Sequence, residues 1–202
     1  MNTGLKDRVV IVAAASHGLG RACAEAFAQE GAKLAICSRN REAIDTAAAG
    51  IRKLGAECSA HVVDVTDQGA VRSFVQEVAK QHGRIDVCVT NAGGPPAKGF
   101  LETTEAEWRR AWEMNFLSNV HFAHNVIPHM QKQRWGRIIT ITSITVKQPE
   151  PALVYSNAVR VGVAGLVKSL ANEFGRDGIT VNNVGPGYTA TDRLKELAVH
   201  RA

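Results

Sequence analysis

Short runs of apolar residues alternate along this chain with longer stretches in which apolar side chains recur every three or four positions. Val9-Val10-Ile11-Val12 is the first run, β-branched throughout, as expected of a strand buried on both faces. Leu19, Ala22, Cys23, Ala26 and Phe27 follow at helical spacing, and Gly31 ends that helix. Lys33-Leu34-Ala35-Ile36-Cys37 reads as a second strand, residues 41–54 as a helix closed by Gly55, and residues 59–63 as a third strand. Val71, Phe74, Val75 and Val78 mark the next helix, which Gly83 stops. Residues 86–90, 137–142 and 179–184 complete a set of six predicted strands. A long helix is expected over about 152–174, with Ala164, Val167, Leu170, Ala171 and Phe174 on one face.

Strands that alternate with helices imply right-handed βαβ units and a parallel sheet covered on both sides. The expectation is an α/β, doubly wound fold in a single domain over residues 1–202, with ligands at the carboxyl ends of the strands. With 45% hydrophobic and 21% charged residues the composition is that of an ordinary globular chain able to bury a core. No apolar run approaches the roughly 18 residues of a membrane helix. The first residues lack a charged-then-apolar leader, so a cytoplasmic protein with no membrane partner is expected. Cys23, Cys37, Cys58 and Cys88 are scattered through apolar stretches and read as free, buried thiols. The net charge of +5 is dispersed and not interleaved with aromatic residues, which argues against nucleic acid; an anionic small ligand accounts for part of it.

The chemistry begins after the first strand, at Ala13-Ala14-Ala15-Ser16-His17-Gly18-Leu19-Gly20. Gly18 and Gly20 fall where the chain turns into a helix, and there a missing side chain lets backbone N–H groups and the helix dipole approach a pyrophosphate. A glycine pair alone also suits a plain tight turn; strand, glycine pair and helix at the head of a βαβ series point to a dinucleotide. Where an NAD site usually holds an acid after the second strand, this chain has Ser38 and then Arg39. A guanidinium suits a 2′-phosphate, and His17 and Arg21 add positive charge beside the glycine turn, so NADP(H) is the expected cofactor.

The loop resembles the TGxxxGxG loop of the short-chain dehydrogenase/reductase family, with Ala13-Ala14 in place of Thr-Gly. Thr90-Asn91-Ala92-Gly93 resembles that family's NNAG segment, Asn115 its helix asparagine, and Ser143 its serine after the fifth strand. Pro186-Gly187-Tyr188-Thr189-Ala190-Thr191 resembles its PGxxxT nicotinamide segment. The likeness covers the whole chain, which resembles 3-oxoacyl-acyl-carrier-protein-reductase-like members. It implies a Rossmann fold and hydride transfer between nicotinamide and a small carbonyl or alcohol substrate. It further implies cofactor contacts from Ala14, Ser16, His17, Gly18, Leu19, Gly20, Ser38 and Arg39, then from Asp64 and Val65 at the adenine. Asn91, Ala92, Gly93, Pro186, Gly187, Thr189 and Thr191 complete the set, in a homodimer or homotetramer. At Ala14 an adjusted turn with negative φ is expected.

The resemblance breaks at the catalytic helix. Family members carry a tyrosine and, four residues later, a lysine that lowers its pKa; positions i and i+4 share a helix face. Here Val154-Tyr155-Ser156-Asn157-Ala158-Val159-Arg160 puts valine four after Tyr155 and the nearest cation at i+5. Alignment back from Gly165-Leu166 instead sets Arg160 at the lysine and Ser156 at the tyrosine. Three readings follow. Tyr155 is the proton donor, if regular helix begins after it or a bulge separates it from Arg160; Pro149 and Pro151 favour a late start. Ser156 stands in for it, although a serine hydroxyl is a poor donor without a base. Or the chain is a non-catalytic, NADP(H)-responsive regulatory protein. With Ser143, Asn115, Tyr155 and Ser156 as catalytic candidates and Arg160 at the ribose, the enzyme is the leading expectation.

His121, His124 and His129 share a predicted helix but have no acidic partner, so no metal is expected. Trp108 and Trp112, at i and i+4, suit helix packing or a subunit contact, and Gly93-Gly94-Pro95-Pro96 a stiff turn beside the nicotinamide. The chain ends soon after a helix that starts near Thr191, short of the seventh strand that family members carry, so a truncated chain is one expectation.

Overall fold

The structure, a computed structural model, describes residues 3–199; residues 1–2 and 200–202 of the expected domain span lie outside the described residues. Six strands form one fully parallel sheet in the order β3-β2-β1-β4-β5-β6. They are β1 (Val9–Ala13), β2 (Lys33–Ser38), β3 (Cys58–Val62), β4 (Val87–Thr90), β5 (Gly136–Ile141) and β6 (Ile179–Val184). The helices are α1 (Gly18–Gln29), α2 (Arg41–Lys53), α3 (Gln68–His82), α4 (Glu105–Trp112), α5 (Ser118–Lys132), α6 (Val154–Phe174) and α7 (Asp192–Val199).

The continuous apolar run of β1 follows from burial on both sides. Val9, Ile11 and Ala13 pack with Val71, Val75, Phe122, Val126 and Val163 of α3, α5 and α6. Val10 and Val12 point the other way, onto Ala24, Ala28, Ile44, Ala47 and Ile51 of α1 and α2. The helices stop and start on local chemistry. Asn40 and Asp67 accept from Ala43 N and Ala70 N at the first turns of α2 and α3, and Gly83 closes α3 in the left-handed region (φ +70°).

From β1 the chain works outward through β2 and β3, then crosses back to lay β4, β5 and β6 on the other side. The segments leaving β1 and β4 therefore diverge, and a crevice opens at their carboxyl ends. Two irregularities shape its floor and far wall. A π-turn over Glu113–Leu117 joins α4 to α5 and carries Asn115 inward. Ahead of α6 the chain reverses through Ala152 (φ +55°), where Lys98 pairs with Leu153 and Lys98 N donates to Ala152 O at 2.6 Å.

Candidate active site

A cavity of about 570 Å³ occupies this crevice. Its first wall is the β1–α1 loop, where Ala14, Ser16, His17, Gly18 and Leu19 line it. Gly20 lies just behind, and a side chain there would be impossible: a Cβ would stand 2.4 Å from Ala14 O and 2.9 Å from Asn91 Nδ2. Gly18 is left-handed at φ +58° and begins α1. Ala14 corrects one expectation: its φ is +49°, not negative, so a Cβ sits in a conformation that favours glycine. The loop holds nonetheless, because Asn91 Nδ2 donates to Ala14 O at 3.4 Å and Ala15 N to Cys37 O at 3.1 Å.

The second wall carries the charge. Ser38, buried, donates to Asn40 O at 3.2 Å, while the exposed Arg39 borders the cavity with no carboxylate between it and β2. Arg21 turns away to pair with Glu25 at 2.8 Å. Asp64 and Val65 follow β3 into the lining. The Asp64 carboxyl is partly desolvated, which would raise its pKa, but Thr66 N (2.9 Å) and Thr66 Oγ1 (2.7 Å) donate to it and hold it below its ordinary value. Arg110 of α4, unmarked by any sequence motif, reaches the same wall 3.7 Å from Asp64. Asn91, Ala92 and Gly93 after β4 close this end.

At the other end stand Ser143, Ser156 and Arg160. Ser143 Oγ accepts from Thr145 N at 3.2 Å, and Thr145 Oγ1 lies 3.1 Å from Ser156 Oγ, so Thr145 links the two serines and all three residues line the cavity. Arg160 is only 8% exposed; its Nη1 donates to Ile141 O (3.3 Å) and Thr142 O (3.1 Å), and its Nε has no hydrogen-bond partner among the described residues. Burial pushes the guanidinium down to about 10, with Arg193 acting in the same direction, so it remains cationic at neutral pH. Pro186, Gly187 and Thr189 follow β6 along this end, anchored where Ile144 N donates to Pro186 O at 2.9 Å, while Thr191 reaches the glycine loop, its methyl 3.7 Å from where a Cβ on Gly18 would stand. Glu150, Tyr188 and Arg193 line it too. Sequence reasoning gave none of the three a role; only Tyr188, inside the PGxxxT-like segment, carried a signal.

Tyr155 is not at this end. The expected late helix start and the alternative bulge are both absent: α6 is regular from Val154, because the Lys98–Leu153 pairing and the Ala152 turn finish the proline segment one residue earlier. With Arg160 turned to the cavity, a residue five positions earlier lies about 140° around the helix. Tyr155 is accordingly buried against Trp108, Ala111 and Val159, its hydroxyl donating to Glu107 Oε2 at 2.7 Å. Lys98 binds the other Glu107 oxygen at 2.6 Å. Burial and then the Glu107 carboxylate raise the Tyr155 pKa, and Tyr155 does not line the cavity. Ser156 and Arg160, at i and i+4, share the cavity face instead.

Asn115 is buried under the site without lining it; its carbonyl accepts from Asn119 Nδ2 at 2.9 Å and its side-chain amide has no protein partner among the described residues. His121 Nδ1 faces Val65 O at 3.2 Å, and no group of three potential metal ligands occurs among the described residues. Trp108 packs on Tyr155, and Trp112 stacks on Phe116.

The family model for short chain dehydrogenases matches residues 8–202. The 3-oxoacyl-(acyl-carrier-protein) reductase of Chlamydia muridarum is 34% identical over 199 residues, 98% of this chain and 80% of that protein. Among solved structures, the L-sorbose reductase of Gluconobacter frateurii complexed with NADPH and L-sorbose superposes with a TM-score of 0.95 at 29% identity, over 100% of this chain and 77% of that one. An NAD+-bound xylitol dehydrogenase superposes with a TM-score of 0.88 at 29% identity, over 91% and 71%.

Proposed function

The chain belongs to the short-chain dehydrogenase family, and we propose that within it this oxidoreductase uses NADP(H) to interconvert a small carbonyl compound and its alcohol. One observation carries the reading: a single cavity has a glycine loop shaped for a phosphate at one end, and Ser143 and Ser156, linked through Thr145, with the buried Arg160 at the other.

The residues fit a dinucleotide phosphate. Gly20 clears the space that a Cβ would take, the α1 N-terminus offers backbone N–H groups, Ser38 stands where an acid would select against a 2′-phosphate, and Arg39 follows it. Asp64 and Val65 are suited to the adenine edge, and Arg160, short of a partner at Nε, to the ribose hydroxyls. The bound nicotinamide supplies or accepts the hydride; the protein orients the substrate beside it. Ser143 and Ser156 hold the substrate oxygen, and Arg160 stabilises negative charge that develops there without donating a proton. Asn115, one layer below, positions the α4–α5 turn and does not touch substrate.

A second reading, a non-catalytic NADP(H)-responsive protein, is favoured by Ser156 and Arg160 at the tyrosine and lysine positions. NADPH oxidation across a panel of aldehydes, ketones and quinones separates the two: turnover supports the enzyme, and tight cofactor binding without turnover supports the regulator. No helix among the described residues is long and apolar enough to cross a membrane. A cytoplasmic homo-oligomer acting on a small molecule completes the proposal, with Trp108, Trp112 and Ala158, rimmed by the Glu105–Arg109 ion pair, in a shallow recess suited to a subunit contact.

A further inference from the structure

Moving Tyr155 into the core leaves the cavity without a proton donor at the position the family resemblance implies, yet carbonyl–alcohol chemistry needs one. The chain contains two tyrosines, and the second, Tyr188, lines the cavity. Its hydroxyl donates to Glu150 Oε2 at 3.0 Å. Both residues sit at the Ser143 end. Tyr188 follows Pro186, whose carbonyl is bonded to Ile144 N, and Gly185 packs so closely on Ser143 that a Cβ there would be 3.0 Å from its carbonyl oxygen. Glu150 is clamped from α6: its N donates to Asn157 Oδ1 at 3.1 Å and its carbonyl accepts from Asn157 Nδ2 at 2.9 Å, one residue beyond Ser156.

The other titratable groups of the lining are placed for different work. His17 precedes α1, Asp64 follows β3, and Asp192 pairs with Lys195 at 3.0 Å. Arg160 and Arg193 cannot act as proton carriers near neutral pH. Tyr188 is 61% exposed, so its side chain is open to solvent.

We propose that Tyr188 and Glu150 form the proton relay of this site, taking over the task of the displaced tyrosine; the inference rests on the hydride-transfer reading above. In the oxidative direction the alcohol O–H bond breaks and its proton passes to the Tyr188 oxygen, while the Tyr188 proton moves along the existing hydrogen bond to the Glu150 carboxylate. A bound oxidised nicotinamide would take the hydride from the carbinol carbon as the electron pair left by the O–H bond closes the carbonyl. Glu150 then releases its proton to water. Reduction runs through the same bonds in reverse, with the proton supplied from Glu150 through Tyr188 to the substrate oxygen.

The test compares wild type, Tyr188→Phe and Glu150→Gln for turnover on the carbonyl and alcohol panel, with NADPH affinity measured separately by calorimetry. Tyr188→Phe should lower kcat about 100-fold or more, and Glu150→Gln about tenfold, both with NADPH Kd within about twofold of wild type. A Tyr188→Phe enzyme that keeps half of the wild-type kcat overturns the relay and leaves the hydride-transfer reading standing. A wild-type protein that turns over no member of the panel overturns both.

Discussion

The two ends of the cavity are built to different standards. At the β1 end, Gly18 and Gly20 keep the helix entry open, and Arg39 meets the cavity with no acid at the end of β2 beside it. At the β5 end, Ser143 stays in place, but α6 presents Ser156 and Arg160, and the neighbouring phenol faces the core. Nucleotide binding needs backbone shape and a few charges fixed by the β1–α1 turn. Proton transfer needs one side chain in one helical phase, and a single residue's displacement removes it. A chain can therefore hold its cofactor site intact while its chemistry is rebuilt, and the two halves should respond separately to substitution.

The largest effect expected is at the chemical end. Ser143→Ala should lower kcat by about 10²–10³-fold while NADPH affinity stays within about twofold, measured by steady-state kinetics and calorimetry. A parallel loss of affinity would join the two ends functionally and break the comparison.

Tyr155 sharpens it from the other side. Tyr155→Phe should leave kcat unchanged, because its hydroxyl serves Glu107 and not the cavity, but should lower Tm by about 2–5 °C in a thermal melt. The same cluster predicts a pH dependence. Lys98 foremost, then Tyr155, pull the Glu107 carboxyl from 4.5 down to about 2. A carboxyl with a depressed folded-state pKa contributes stability that is complete above about 4.5 and is lost as pH falls towards 2. The stability difference between wild type and Glu107→Gln, from urea unfolding, should thus be flat from pH 7 to 5 and shrink below that.

The smallest effect concerns Ala14. Replacing it with glycine should relieve the positive φ and stabilise the fold by about 1 kcal/mol, read as a higher urea midpoint, with kcat unchanged.

Most of the sheet was legible because a doubly covered parallel strand must be apolar on both faces, so Val9–Ala13 and Lys33–Ser38 announce themselves as short apolar runs between helical patterns. Gly83 marked a helix end for a local reason, its left-handed φ. The wall proposed for the cofactor has a local origin too: Gly18, Gly20, Ser38 and Arg39 lie within a few residues of the strand ends that place them. What could not be read locally was the phase of α6. That phase depends on a turn at Ala152 held by Lys98, more than fifty residues away, and on Glu107 and Trp108 receiving Tyr155. Ala14 was misread because its φ follows from Asn91 and Cys37 gripping the loop, contacts that no local pattern records. Arg110, Glu150 and Arg193 reach the cavity from loops and helix ends whose course only tertiary packing decides.

The cofactor assignment on which the comparison rests is tested most directly by calorimetric titration of wild type and Arg39→Asp with NADPH and NADH. The account predicts that wild type binds NADPH at least about tenfold more tightly than NADH and that Arg39→Asp narrows or reverses that preference. Equal affinities for the two cofactors in wild type, unchanged in the variant, would contradict it.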